Sequence, residues 1–104
     1  DNIRTNNKEY LESVLKSYAD FGKNNNVPLY LGEFGVASSG FKENRGGTNW
    51  VSDMIDLCYK YCIGFNYHTY HEESFGLYSS SDTKLPDEKD LNRELAELFR
   101  KKLK

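Results

Sequence analysis

The sequence predicts an α/β fold in which the strands pair in parallel. Two observations carry this. Helical periodicities and short apolar strands alternate along the chain, in the order helix, strand, helix, strand, helix. Alternation of that kind implies parallel pairing through right-handed crossovers. The first strand, Leu29-Tyr30-Leu31, also shows no polar alternation until Gly32-Glu33, the pattern of a strand buried on both faces.

Each element has its own justification. From Lys8 to about Asn24, Leu11, Val14, Leu15, Tyr18 and Phe21 recur at the helical period. Asn24-Asn25-Asn26 ends that helix, because Asn favours turns and left-handed caps. Pro28 then introduces the first strand. Residues 36–47 read as a loop of Ser, Gly and mixed charge, and Thr48 is placed to cap the next helix, about Asn49 to Tyr61. Trp50, Met54, Leu57, Cys58 and Tyr61 form its apolar stripe, with Val51 and Ile55 beside it. Ile63 to Tyr70 is rich in aromatic and β-branched residues and reads as the second strand. A polar loop spans 71–85. Pro86-Asp87 opens the last helix, with Leu91, Leu95, Leu98 and Phe99 on one face. Its basic end (Arg100, Lys101, Lys102, Lys104) suits the negative end of the helix dipole.

Composition excludes several classes. The 104 residues suit a single core, and 38% apolar with 29% charged residues is ordinary for a globular chain. No run of 18 apolar residues exists, so no membrane-spanning helix is expected. The net charge of −2, with acids and bases interspersed, argues against a nucleic-acid groove or an anionic membrane surface. Cys58 and Cys62 stand at the end of a helix, where a bridge would close a tiny loop and stabilise little. They read as free, buried thiols that act as small apolar residues. Aromatics reach 14%, which fits either a surface that stacks on flat ligands or half-buried strands.

Two parallel strands are too few for a stable sheet, and three apolar helix faces need more sheet to cover. The resolution is a larger α/β domain. A (β/α)8 TIM barrel takes about 250 residues for eight units, so two and a half units in 104 residues is the right density.

Barrels of this kind place their chemistry at the C-terminal ends of strands, and two spots qualify. The first is Gly32-Glu33-Phe34-Gly35. A carboxylate closing an apolar strand is costly if buried and unpaired, and the flanking glycines permit a close approach by ligand. Glu33 reads either as a catalytic acid or as a helix-dipole or salt-bridge acid in a loop. The second is His68-Thr69-Tyr70-His71-Glu72-Glu73. It reads as a polar binding surface or as a polar rim with a hydrogen-bonded His. His68, His71 and Glu72 could be taken as metal ligands, but the spacing is not that of a helical zinc site and no further strong ligand is evident. No metal is expected. Trp50 reads as helix packing ahead of a sugar platform. Gly46-Gly47 precedes a helix without the Gly-Lys-Ser/Thr of a phosphate loop.

Pro28-Leu-Tyr-Leu-Gly-Glu-Phe-Gly35 resembles the seventh-strand motif of glycoside hydrolase family 5, the cellulase family of (β/α)8 barrels. Asn49-Trp50 with Asp53 resembles that family's seventh helix. Ile63-Gly-Phe-Asn-Tyr-His-Thr-Tyr-His-Glu72, followed by Phe75-Gly-Leu-Tyr78, resembles its eighth strand and the loop after it. The resemblance implies that residues 1–104 are the C-terminal portion of one glycosidase barrel, from about helix 6 to helix 8, and incomplete alone. It implies that Glu33 is the nucleophile of a retaining endo-glycosidase acting on β-1,4-linked plant polysaccharide, with β-glucan ahead of mannan, xyloglucan or xylan. His68, Tyr70 and His71 then bind substrate in a region where many members carry a Trp. The family's acid/base Glu lies in an Asn-Glu-Pro motif, which does not occur in this sequence. The implied partners are the polysaccharide and the N-terminal remainder of the barrel. No cofactor is implied, and the implied location is extracellular. The alternative is a non-catalytic carbohydrate-binding or interaction module that uses the Tyr/His-rich strand end.

Overall fold

The computed structural model describes residues 8–43, 45–81 and 84–103. Residues 44, 82 and 83, within the two expected loops, and Lys104 of the basic helix end lie outside them. Five regular elements follow one another: α1 (Lys8–Asn25), β1 (Tyr30–Phe34), α2 (Gly47–Lys60), β2 (Gly64–Tyr67) and α3 (Arg93–Lys102). Short 3₁₀ turns at Ser38–Phe41 and Glu88–Asp90 interrupt the connections. β1 and β2 pair in parallel, as the alternation of elements predicts.

α2 is the hub of the core. Its Val51, Met54, Ile55, Leu57 and Cys58 are all buried, and α1 and α3 pack against it on either side. Leu15 of α1, Phe34 of β1, Ile63 before β2, and Leu95 and Leu98 of α3 complete the cluster. Burial pushes the Cys58 thiol up from its ordinary value, since the interior disfavours thiolate. Both cysteines are free, but only Cys58 is buried; Cys62, at the turn out of α2, is exposed. Polar clamps brace the helices from outside. Asp56 accepts from Lys102 Nζ at 2.7 and 2.9 Å, and Lys8 Nζ lies 3.8 Å away. Glu12 of α1 accepts from Tyr61 Oη at 2.7 Å and from Lys60. These donors hold the Glu12 carboxyl below its ordinary pKa, with Lys60 the larger cause.

The two helix-to-strand joints share one design. After α1, Asn26 adopts the left-handed conformation at φ 54°. Its N–H bonds Lys23 O at 3.3 Å, and Val27 N–H bonds Gly22 O at 2.9 Å. After α2, Cys62 sits at φ 55°, with Cys62 N–H on Tyr59 O at 3.3 Å and Ile63 N–H on Cys58 O at 2.9 Å. Both are Schellman motifs, which satisfy the last helical carbonyls and turn the chain into a strand. At the first joint a Cβ on Gly22 would stand 2.9 Å from Val27 O and 3.0 Å from Leu29 Cγ, so the chain folds back only over a glycine.

The structure corrects several sequence expectations. β1 is not buried on both faces. Tyr30, Gly32 and Glu33 are exposed, because helices cover only one side of the sheet. Thr48 does not cap α2. The helix begins at Gly47 behind Gly46, which takes φ 88°, a conformation open to glycine. Thr48 Oγ1 is left buried with no partner among the described residues. β2 ends at Tyr67 rather than Tyr70, since Thr69 and Tyr70 turn their backbone to residues 75–78. The last helix does not open at Pro86. Asp87 caps only the 3₁₀ turn, and α3 starts after Asn92, whose side chain accepts from Leu95 N–H at 3.1 Å. Leu91 therefore precedes α3 and bridges Tyr78 instead.

Candidate active site

The C-terminal ends of β1 and β2 lie side by side. His68 N–H donates to Phe34 O at 2.7 Å, and a Cβ on Gly35 would stand 2.2 Å from His68 O. Gly35 is thus glycine because the neighbouring strand's backbone occupies the space. The His68–Thr69 peptide is cis.

The register explains where Glu33 stands. Leu31 pairs with Phe65 and Phe34 with Tyr67, so β1 carries one more residue than β2 over this stretch. That is a β-bulge, a device that re-aims side chains at strand ends. Leu31, Phe34, Phe65 and Tyr67 all pack with the helix-side core. Gly32 and Glu33 share the other face, with Asn66 opposite, and all three are exposed. A Cβ on Gly32 would meet nothing within 4 Å. No hydrogen bond or ion pair holds the Glu33 carboxylate among the described residues. Of its two sequence readings, the salt-bridge acid therefore has no partner here.

Below Glu33, Phe34 makes aromatic contacts on three sides: Tyr67 at 5.4 Å, Phe65 at 5.7 Å and Trp50 at 6.2 Å between ring centroids. Trp50 is packing, as its place in the α2 stripe predicts. Val36 N–H donates to Tyr67 Oη at 3.3 Å, and Ser38 N–H to Ser74 O at 2.7 Å, tying the loops after the two strands together. Burial pushes the Tyr67 phenol up, and the Val36 N–H opposes that shift. An open cleft of about 530 Å³ runs beside Gly35 between Val36, Arg45, Gly46 and Trp50. Another, of about 410 Å³, lies among the helix-to-strand joints, lined by Lys23, Val27 and Cys62. It belongs to the opposite end of the strands from Glu33.

The four residues singled out in the sequence are not all brought together. His68 donates the strand-end hydrogen bond to Phe34, the residue that follows Glu33. His68 Nε2 lies 3.0 Å from Glu72 Oε2, and its ring lies 5.8 Å from Phe75. Tyr70 is 63% exposed and leans edgewise on Tyr78 at 5.4 Å. His71 Nε2 bonds Ser80 Oγ at 2.8 Å, within the loop. Among the described residues no group of three His, Cys, Asp or Glu could hold a metal. Sequence reasoning undervalued Glu72. Glu72 reads in the sequence only as a conceivable metal ligand beside His68 and His71, and the structure places its carboxylate on His68.

β1 and β2 thus form a parallel βαβ unit with a carboxylate at a bulged strand end that has no partner among the described residues. No family model and no curated protein matches the sequence. Among solved structures the chain is similar to a hyperthermophilic endo-β-1,4-glucanase, solved in complex with substrate. The TM-score is 0.62 and the identity 30%, over 78% of this chain and 25% of that one. The chain thus spans about a quarter of the glucanase's length. The likeness supports a glycosidase-like, cellulase-type relationship for the helices and strands that the structure describes.

Proposed function

We propose that this chain forms the seventh and eighth strand units of a (β/α)8 barrel in a retaining endo-β-1,4-glucanase of the family 5 type, and that Glu33 is its nucleophile. The observation that carries this reading is the bulge, which leaves a carboxylate unpaired on the uncovered sheet face while Leu31 and Phe34 stay in the core. The similarity to a β-1,4-glucanase supports the substrate class, with β-glucan first. In this mechanism Glu33 attacks the anomeric carbon and forms a glycosyl-enzyme. A second carboxylic acid, about 5 Å away, protonates the departing oxygen and then deprotonates the water that releases the sugar. That acid belongs to the N-terminal remainder of the barrel, which is the proposed partner. His68, Tyr70 and His71 are proposed to contact the glycan, and the proposed site of action is extracellular.

The test is a reducing-sugar assay on β-glucan with this chain, with a fragment carrying the first six strand units, and with both. Hydrolysis is expected only in the mixture. Glu33→Gln in this chain is expected to lower it by several orders of magnitude, because a covalent-catalysis group is lost rather than a packing one. Hydrolysis by this chain unaided overturns the shared-barrel reading. Near-wild-type activity of the variant removes Glu33 from the role. Glycan binding without activity in any mixture favours the carbohydrate-binding module.

A further inference from the structure

Glu72 is built into its loop with unusual completeness. Its N–H donates to Tyr78 O at 3.3 Å and its C=O accepts from Gly76 N–H at 2.8 Å. A Cβ on Gly76 would stand 2.3 Å from Glu72 N and 2.5 Å from Glu72 O, so position 76 is held to glycine by Glu72's own backbone. From this anchored backbone the Glu72 carboxylate reaches His68 Nε2, an ion-pair contact of 3.0 Å between two partly exposed side chains, and Phe75 packs on the same ring. A carboxylate only accepts hydrogen bonds, so Nε2 must carry a proton. In the neutral imidazole the other nitrogen, Nδ1, is then a bare acceptor, and no group takes it among the described residues.

We propose that Glu72 is a positioning residue: it locks the tautomer of His68 so that Nδ1 accepts a hydrogen bond from a ligand hydroxyl at the strand end beside Glu33. The chemistry also selects the ligand. Two carboxylates, Glu33 and Glu72, belong to this strand-end site, and Arg45, beside the adjoining cleft, is already paired with Glu43. A neutral sugar donates to Nδ1 at no electrostatic cost. A uronic acid meets an acceptor and like charge. This rests on the glycan reading above and deepens it, naming uncharged over acidic β-glycans.

The experiment uses this chain labelled with ¹⁵N and mixed with the fragment carrying the first six strand units, with the ring nitrogens read at about pH 8. Long-range ¹⁵N spectra report which ring nitrogen is protonated. His68 is expected to be protonated at Nε2 in the wild type and in Glu72→Gln, whose amide oxygen also accepts. Glu72→Ala is expected to spread the proton over both nitrogens. Titration with a cello-oligosaccharide and with a glucuronic-acid-bearing xylo-oligosaccharide reads the ligand side. The wild type is expected to prefer the neutral sugar. Glu72→Ala is expected to weaken it roughly three- to tenfold, the span of one ordinary hydrogen bond, with Glu72→Gln close to wild type. A wild-type proton on Nδ1, a tautomer unmoved in Glu72→Ala, or preference for the acidic sugar overturns the proposal. An imidazole that responds as expected while the wild type binds neither sugar overturns the glycan reading, and the ligand assigned here falls with it.

Discussion

At the N-terminal ends of β1 and β2 the chain does the same thing twice. Each helix closes with a left-handed residue, the same pair of backbone bonds follows, and a strand begins within a few residues. At the C-terminal ends the two units diverge. β1 ends in a bulge, a Glu33 with no partner among the described residues, and a glycine pressed against its neighbour's backbone. β2 ends in a folded loop in which His68, Tyr70 and His71 each have a side-chain neighbour. The joints are repeatable because they serve only to turn the chain. The strand ends differ because each presents particular groups. In barrel enzymes this is the division between the stabilising face and the reacting face.

The comparison can be broken most severely at Gly35. Gly35→Ala puts a methyl group where His68 O already stands, and a backbone carbonyl cannot swing aside as a side chain can. The two strand ends must part, and urea unfolding of the variant is expected to show a loss of about 3 kcal/mol. Gly32→Ala, three residues earlier with open space around it, is expected to stay within about 0.5 kcal/mol. Equal losses at the two positions would mean that the strand ends are not in contact. The joints offer a subtler probe. Cys62 holds a left-handed φ that costs an ordinary side chain energy, whereas Asn26 tolerates it. Cys62→Gly is therefore expected to raise stability by about 0.5–1 kcal/mol, and Asn26→Gly by less. The reverse order in thermal melts would show that the joints are not equivalent. The smallest effect belongs to the clamp between α1 and α2. The Glu12 carboxyl is held below its ordinary value, so its contribution is present at neutral pH and is lost as pH falls through the carboxylate range near pH 4. Lys60 and Tyr61 are both raised by the same contact, so the clamp also weakens above about pH 10. Glu12→Gln is expected to flatten the acid limb of a stability–pH curve by slightly lowering the neutral plateau, with stability at low pH little changed.

Much of this architecture was legible in the sequence. The 3.6 period of Leu11 and Leu15, and of Val51, Met54, Ile55, Leu57 and Cys58, located the two packing helices, because burial on one face leaves that imprint. Asn26 announced its turn through side-chain chemistry. What stayed hidden depended on partners distant in the chain. Thr48 looked like a cap until Gly46 and the loop at Gly40 let the helix start earlier. Leu91 fitted the helical stripe by spacing alone, yet Asn92 holds the cap. The second strand ran on through Tyr70 in composition, but the hydrogen bonds of Thr69 and Tyr70 go to the loop at 75–78. Glu33 could be singled out as a carboxylate closing an apolar strand. That it stands unpaired on the uncovered face depends on the register with β2, which no local pattern encodes.

The extra residue between Leu31 and Phe34 has a consequence for relating this chain to others. A strand with simple alternation has one outward residue between two core residues, and this one has two. Any alignment of β1 to such a strand therefore needs a one-residue gap at Gly32 or Glu33. Set without it, the carboxylate column shifts by one, and Glu33 is matched either to a glycine or to a buried aromatic.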